Sequence, residues 1–195
     1  MRHLLFPVVV LATLAAVPAA QAAPILYVTS LSGPNEAPPN NSNGTGSATV
    51  VYDALTHMLS VDVNFTGLTG VTTMSHIHCC TTIPFTSTAG VATETPTFGG
   101  FPLGVTSGTY FNTYNLTLPA SWNAPFIAAN GGTTAGAEAA FAAGLATGRA
   151  YLNIHTSVVP AGEIRGFLVV PEPATAALVM LGLAGLAVSR RRARV

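Results

Sequence analysis

From Met58 to Phe65 the chain alternates: Leu59, Val61, Val63 and Phe65 fall on one side, Ser60, Asp62 and Asn64 on the other. Successive side chains of an extended segment point to opposite faces, so this is a strand with one face in a core and one in water. Further runs rich in β-branched and aromatic residues, bounded by Gly, Pro or Asn, predict strands over Ile25–Leu31, Gly46–Tyr52, Thr72–His78, Gly108–Leu118, Arg149–His155 and Glu163–Val169. The short segment between Asp53 and Met58 suits a hairpin that pairs the second and third strands antiparallel. Two excursions break the pattern. Cys79 to Ser107, rich in Thr, Pro and Gly, reads as an ordered functional loop or a cover over a sheet edge. The second contains a helix over Thr134–Ala146, capped by Thr133 or Thr134, that buries Phe141 and Leu145 and ends at Gly148. The predicted fold is therefore all-β: an antiparallel two-sheet β-sandwich of about seven strands with a short helical insertion.

The two ends are apolar without strand periodicity. Arg2 and His3 precede the run Leu4–Val17, and Ala20-Gln21-Ala22 provides small residues around a cleavage point, which predicts a secretory signal over residues 1–22. At the other end Ala174 to Val188 is apolar and is followed by Arg190, Arg191, Arg192 and Arg194. Those 15 apolar residues, at a rise of about 1.5 Å each, fall short of a hydrocarbon core of roughly 30 Å, so they span only a thinned bilayer or one reached by snorkelling arginines. The basic end stays cytoplasmic by the positive-inside rule, leaving the body of the chain on the far side. This changes the reading of composition, because the 49% hydrophobic content is inflated by both ends. Five of the seven basic residues also lie there. Arg149 and Arg165 against Glu36, Asp53, Asp62, Glu94, Glu138 and Glu163 leave the body at minus four with histidine neutral, and there is no lysine. A nucleic-acid partner is excluded, since phosphate binding needs clustered cations.

The order Val170-Pro171-Glu172-Pro173, apolar run, basic end resembles the PEP-CTERM sorting signal of Gram-negative bacteria. That resemblance implies recognition of Pro-Glu-Pro by exosortase, a membrane transpeptidase, after transient residence in the inner membrane, then passage to the cell surface or an extracellular exopolysaccharide matrix. Four blocks of the body, Leu31–Pro39, Ser75-His76-Ile77-His78, Tyr151–Thr156 and Gly162–Gly166, resemble the CHRD domain first described in chordin. It implies an extracellular module over residues 23–169, followed by the sorting signal over 170–195. Cys79-Cys80, directly after the His-Ile-His block, departs from the glycine-rich turn expected there.

His76 and His78 sit one residue apart on a predicted strand and so share a face, the spacing by which a metal takes two imidazoles from one strand. His155 ends another strand, on one face with Asn153 and Tyr151. Convergence of the three would hold zinc or copper, with Glu36, Glu163, Cys79 or a water as the fourth ligand. The competing reading is a hydrogen-bonded network in which Glu163 forms a structural ion pair with Arg165. Cys79 and Cys80 are the only cysteines; an oxidising compartment favours a disulfide, although Cα atoms about 3.8 Å apart across a trans peptide lie below the usual span. Intermolecular cross-linking and soft-metal ligation remain open beside the vicinal ring. No Ser/His/Asp order or paired-carboxylate motif emerges, so no catalytic residues are assigned and an enzyme is not expected. The sequence thus points to a secreted, exosortase-sorted, non-enzymatic surface or matrix module that binds carbohydrate or protein partners; the alternative is an extracellular metal-binding or redox protein using the three histidines.

Overall fold

The computed structural model describes residues 23–172. The signal expected over 1–22, Pro173, and the apolar segment and basic end from Ala174 lie outside the described residues. Within them, no helix is long and apolar enough to cross a membrane.

Seven strands are present: β1 (Ile25–Ser32), β2 (Thr45–Asp53), β3 (Met58–Thr66), β4 (Thr72–His78), β5 (Gly108–Asn115), β6 (Tyr151–Thr156) and β7 (Ile164–Phe167), with helices α1 (Ala124–Ala129) and α2 (Thr134–Ala146) between β5 and β6. Every ladder is antiparallel. The expected all-β, seven-strand architecture is what the chain adopts, drawn into one sheet of order β4-β6-β7-β1-β2-β3-β5 that curls into a half-barrel. The two layers of the sandwich reading are the two wings of this curl. They meet at β1, which pairs with β2 along its whole length but with β7 only at Ser32–Arg165, a further bridge joining Val28 to Val169 just past β7.

On the wing of β2, β3 and β5 the alternation works as read. Leu59, Val61, Val63 and Phe65 are buried, facing Tyr52, Val50 and Ala48 of β2 and Tyr114 and Tyr110 of β5. Each such side chain withdrawn from water contributes about 1.5–3 kcal/mol. The β2–β3 turn is closed by Asp53, whose carboxylate accepts from the N–H groups of Leu55 and Thr56 and from the Thr56 hydroxyl. Helix α2 runs over the residues predicted, with Thr133 as its cap accepting from Gly136 N at 3.0 Å, and Phe141 and Leu145 buried. The short α1 was not anticipated; its apolar residues form too brief a run to show a helical period.

The wing of β4, β6 and β7 differs. All six residues of β6 are buried. Ser75, Ile77, Leu152, Ile154, Ile164 and Leu168 are buried on this wing too, and the apolar ones join the same core as the first wing. The alternate residues, His76, His78, Tyr151, Asn153, His155 and Arg165, are also buried: Glu36 meets Asn153 and Pro160 meets His155, while the 79–107 excursion folds back over His76, His78, Tyr151 and Arg165. Its 89–98 stretch closes the edge of β4 with Cys79 N donating to Gly90 O, Ala92 N to Ile77 O and Phe98 N to Ser75 O. The cover role expected of this segment is the one it takes.

Candidate metal centre

Strand pairing brings the three histidines together. His76 lies opposite Asn153, His78 opposite Tyr151 and Met74 opposite His155 in the β4–β6 ladder, so the three rings share one face of two adjacent strands. Ring centroids are 5.5–5.9 Å apart, and one nitrogen from each ring lies within 4.8 Å of those of the other two. Tetrahedral ligation at about 2.0–2.1 Å separates nitrogens by about 3.3 Å, so a small inward movement would complete a site. The rings are 3, 9 and 8% exposed.

Each imidazole is oriented from behind by a backbone carbonyl. His76 Nε2 donates to Pro96 O at 2.6 Å, His78 Nδ1 to Ala89 O at 2.9 Å and His155 Nδ1 to Pro160 O at 2.9 Å. A carbonyl only accepts, so these contacts fix the tautomers and leave lone pairs on His76 Nδ1, His78 Nε2 and His155 Nε2. Those three atoms are buried and have no partner. Burial pushes the His76 and His78 pKa values down to about 4, against a partial lift from their carbonyl bonds, and lowers that of His155 as well. At neutral pH all three are uncharged bases. Among the described residues the one other buried orphan is Asn153 Oδ1, on the same face.

The residue blocks around these histidines are those of a known family: its model, the CHRD domain, matches residues 27–168, and a PEP-CTERM protein-sorting motif matches residues 169–192. The chain belongs to the CHRD domain family. No curated protein and no solved structure matches it. The CHRD domain followed by this motif makes it a secreted protein, exported and addressed to an exosortase-type processing enzyme.

Within the CHRD domain the acidic residues fall differently from expectation. Glu163 neither pairs with Arg165 nor belongs to the histidine cluster. Its Oε1 accepts from Ser42 Oγ and Thr69 N, both at 2.5 Å, and its Oε2 from Gly70 N at 3.1 Å and Thr156 Oγ1 at 2.6 Å. Burial alone would raise this carboxyl, but the four donors outweigh it and hold the pKa below the usual range. Glu163 immediately precedes β7 and is turned toward the β1–β2 and β3–β4 connections, which is why the expected pair does not form. Arg165 instead faces Glu36 (Nε to Oε2 3.8 Å) and donates through Nε to Asn35 O and through Nη1 to Ser87 O. Its guanidinium lies 4.7 Å from the Tyr151 ring centroid.

Cys79 also leaves the ligand set. Its sulfur is bonded to that of Cys80, across a cis peptide with Cα atoms 3.0 Å apart rather than at trans spacing. Both sulfurs pack against Gly144 of α2, where any side chain would collide with them. Glu36 remains adjacent: it accepts from Asn153 Nδ2 at 2.8 Å, and burial, partly offset by Arg165, raises its pKa to about 7. Asn153 is the residue that sequence reasoning underrated. The strand alternation placed it on the histidine face, but only its buried, unpartnered oxygen marks it as a donor. The carbonyls of Ala89, Pro96 and Pro160 carried no signal, since backbone acceptors in aperiodic loops leave no trace in residue type.

Proposed function

We propose that this secreted, exosortase-sorted CHRD protein binds a transition metal, zinc or copper, through His76 Nδ1, His78 Nε2 and His155 Nε2, with Asn153, Glu36 or a water completing the coordination. The observation that carries the reading is the set of three buried, neutral imidazole nitrogens without partners and aimed at one another. An unsatisfied buried acceptor costs about 1–3 kcal/mol. A buried water donates two hydrogens and would leave at least one of the three lone pairs unsatisfied, so a network built only for structure is poorly served here. A divalent cation satisfies all three at once. The carbonyl behind each ring is the outer support that metal-ligating histidines commonly have. Nitrogen ligands favour zinc or copper over harder cations such as calcium or magnesium. When bound, the metal would supply Lewis acidity or, for copper, electron transfer; the chain's own contribution is to fix three tautomers and keep the site dry.

The test is elemental analysis of the full chain, expressed with its own leader and purified without a histidine tag, beside His76→Ala. One zinc or copper per chain, lost in the variant, is the expected result. No metal in the folded wild-type protein would reject the site and return the account to a surface or matrix module without a metal.

A further inference from the structure

We infer that the cleft between the Gly33–Asn35 turn and the Phe85–Ser87 segment is a binding site for a neutral saccharide. The cleft has a volume of ≈ 640 Å³, within the range of about 300–1,000 Å³ for small-ligand sites, and no histidine among the described residues lines it. It adjoins the metal centre, and of the residues proposed to hold the metal it is lined only by Glu36, a candidate for the last ligand.

Its floor and walls are organised by one side chain. Arg165, 4% exposed, takes the carbonyl of Asn35 on one wall and that of Ser87 on the other, so a single guanidinium pins both sides. Glu36 beside it offsets part of its charge. With a body at minus four and no other cation among the described residues at the cleft, nothing in them draws an anion in. What the cleft does offer is two planar polar groups at its floor, Arg165 and Glu36, and the hydroxyls of Thr29, Ser30 and Ser87. Arg165 can only donate, and Glu36 presents carboxyl oxygens that accept. A sugar hydroxyl does both, which makes it the complement to this pair.

The mouth carries an exposed aromatic ring held in an unusual way. Phe85 is 61% exposed and has φ +59°, and Ser87 has φ +69°. A bulky side chain rarely adopts that left-handed backbone conformation, and such outliers gather at ligand sites. Phe85 is kept there by its N–H on Gly148 O at 2.8 Å, by its ring against Gly148, where a side chain would collide with it, and by edge contact with Phe167 at 6.1 Å. The result is a fixed apolar platform beside a hydrophilic cleft, the pairing that a pyranose presents in reverse with its C–H face and its hydroxyl rim.

The full chain in mild detergent, Phe85→Ala, and Phe111→Ala as a control with a slightly more exposed ring on β5, should be applied to an array of neutral and acidic oligosaccharides and of peptides. The strongest binders are then titrated by calorimetry. Retention of a neutral oligosaccharide, weakened about tenfold or more by Phe85→Ala and unchanged by Phe111→Ala, is expected. Metal content and melting temperature should be the same in all three proteins, which separates this result from any failure of the metal site. No neutral glycan retained, retention indifferent to Phe85, a preference for acidic glycans, or Phe85-dependent capture of peptides alone would each overturn the assignment.

Discussion

Across β1, the same sheet is built on two different principles. On the wing of β2, β3 and β5 one face is apolar and dry while the other meets water: Val61 is fully buried and its neighbour Asp62 is exposed. On the wing of β4, β6 and β7 both faces are dry, and the second is lined with His76, His78, Asn153, His155 and Arg165. The first wing hides few polar groups on its inner face, and its tyrosine hydroxyls are partnered, Tyr52 with Glu138 and Tyr110 with Tyr114. The second must satisfy every polar atom it hides, and it does so for Glu163 and Arg165 but not for the three inward imidazole nitrogens. A sheet that otherwise pairs its buried charges so fully, yet leaves unpartnered acceptors together in one place, is stable there only with something bound or at a cost.

Breaking Glu163 should show how much the second wing depends on satisfied polar groups. Glu163→Ala removes the acceptor of four donors contributed by Ser42, Thr69, Gly70 and Thr156. The expected loss is about 3–5 kcal/mol, as for a buried charged acceptor taken from its partners. Chemical denaturation would measure it, and a loss below about 1 kcal/mol would mean water replaces the carboxylate easily. Leu59→Ala on the first wing is the matched control. A fully buried leucine in a dense core should cost about 2–4 kcal/mol by transfer and cavity terms, yet leave metal stoichiometry as in the wild type. Loss of metal from Leu59→Ala would show that the wings are coupled and that the histidine site reports on global stability.

The difference between the wings also explains what could be read in advance. Period-two alternation identifies a strand with one wet face, so Met58–Thr66 and its partners were recognisable residue by residue. Helix α2 was equally clear, because Thr133, Phe141 and Leu145 are local signals. The β4 and β6 segments showed the shared face of His76, His78 and His155 through the same alternation, and the strand order then made them neighbours. Composition marked the 79–107 segment as a functional loop or a cover over a sheet edge, but nothing local could say that it would also reach across His76 and His78 or that Pro160 would close over His155, and burial is what turns three histidines from surface residues into neutral ligands. The Glu163–Arg165 pairing failed for a related reason. Two residues so close in sequence looked like partners, but the partner of each was set by chain 120 or so residues away, Ser42 for one and Glu36 for the other.

Acidification of chelated protein offers the finest comparison of the two wings, since the shifted histidines all lie on the second. His76 and His78 bind protons near pH 4 when folded and near 6.5 when unfolded. Between these values the unfolded chain holds more protons, so stability falls as pH drops from about 6.5 to about 4, and the lowered His155 adds to the trend. Glu36 works in the opposite sense: raised to about 7 from 4.5 in the fold, it gains protons on folding, and so lends stability as pH falls through that window. Two or three histidines against one carboxyl leave a net loss of about 2 kcal/mol between pH 6.5 and 4.5. Urea melts of the metal-free chain at several pH values should show that slope. His76→Ala should flatten it by removing one opposing titration, whereas Glu36→Gln should steepen it by removing the compensation. Metal-loaded protein should hold its stability further into acid and then lose it more abruptly, because protons must first displace the ion. Identical pH slopes with and without metal would mean that the three imidazoles do not share a ligand.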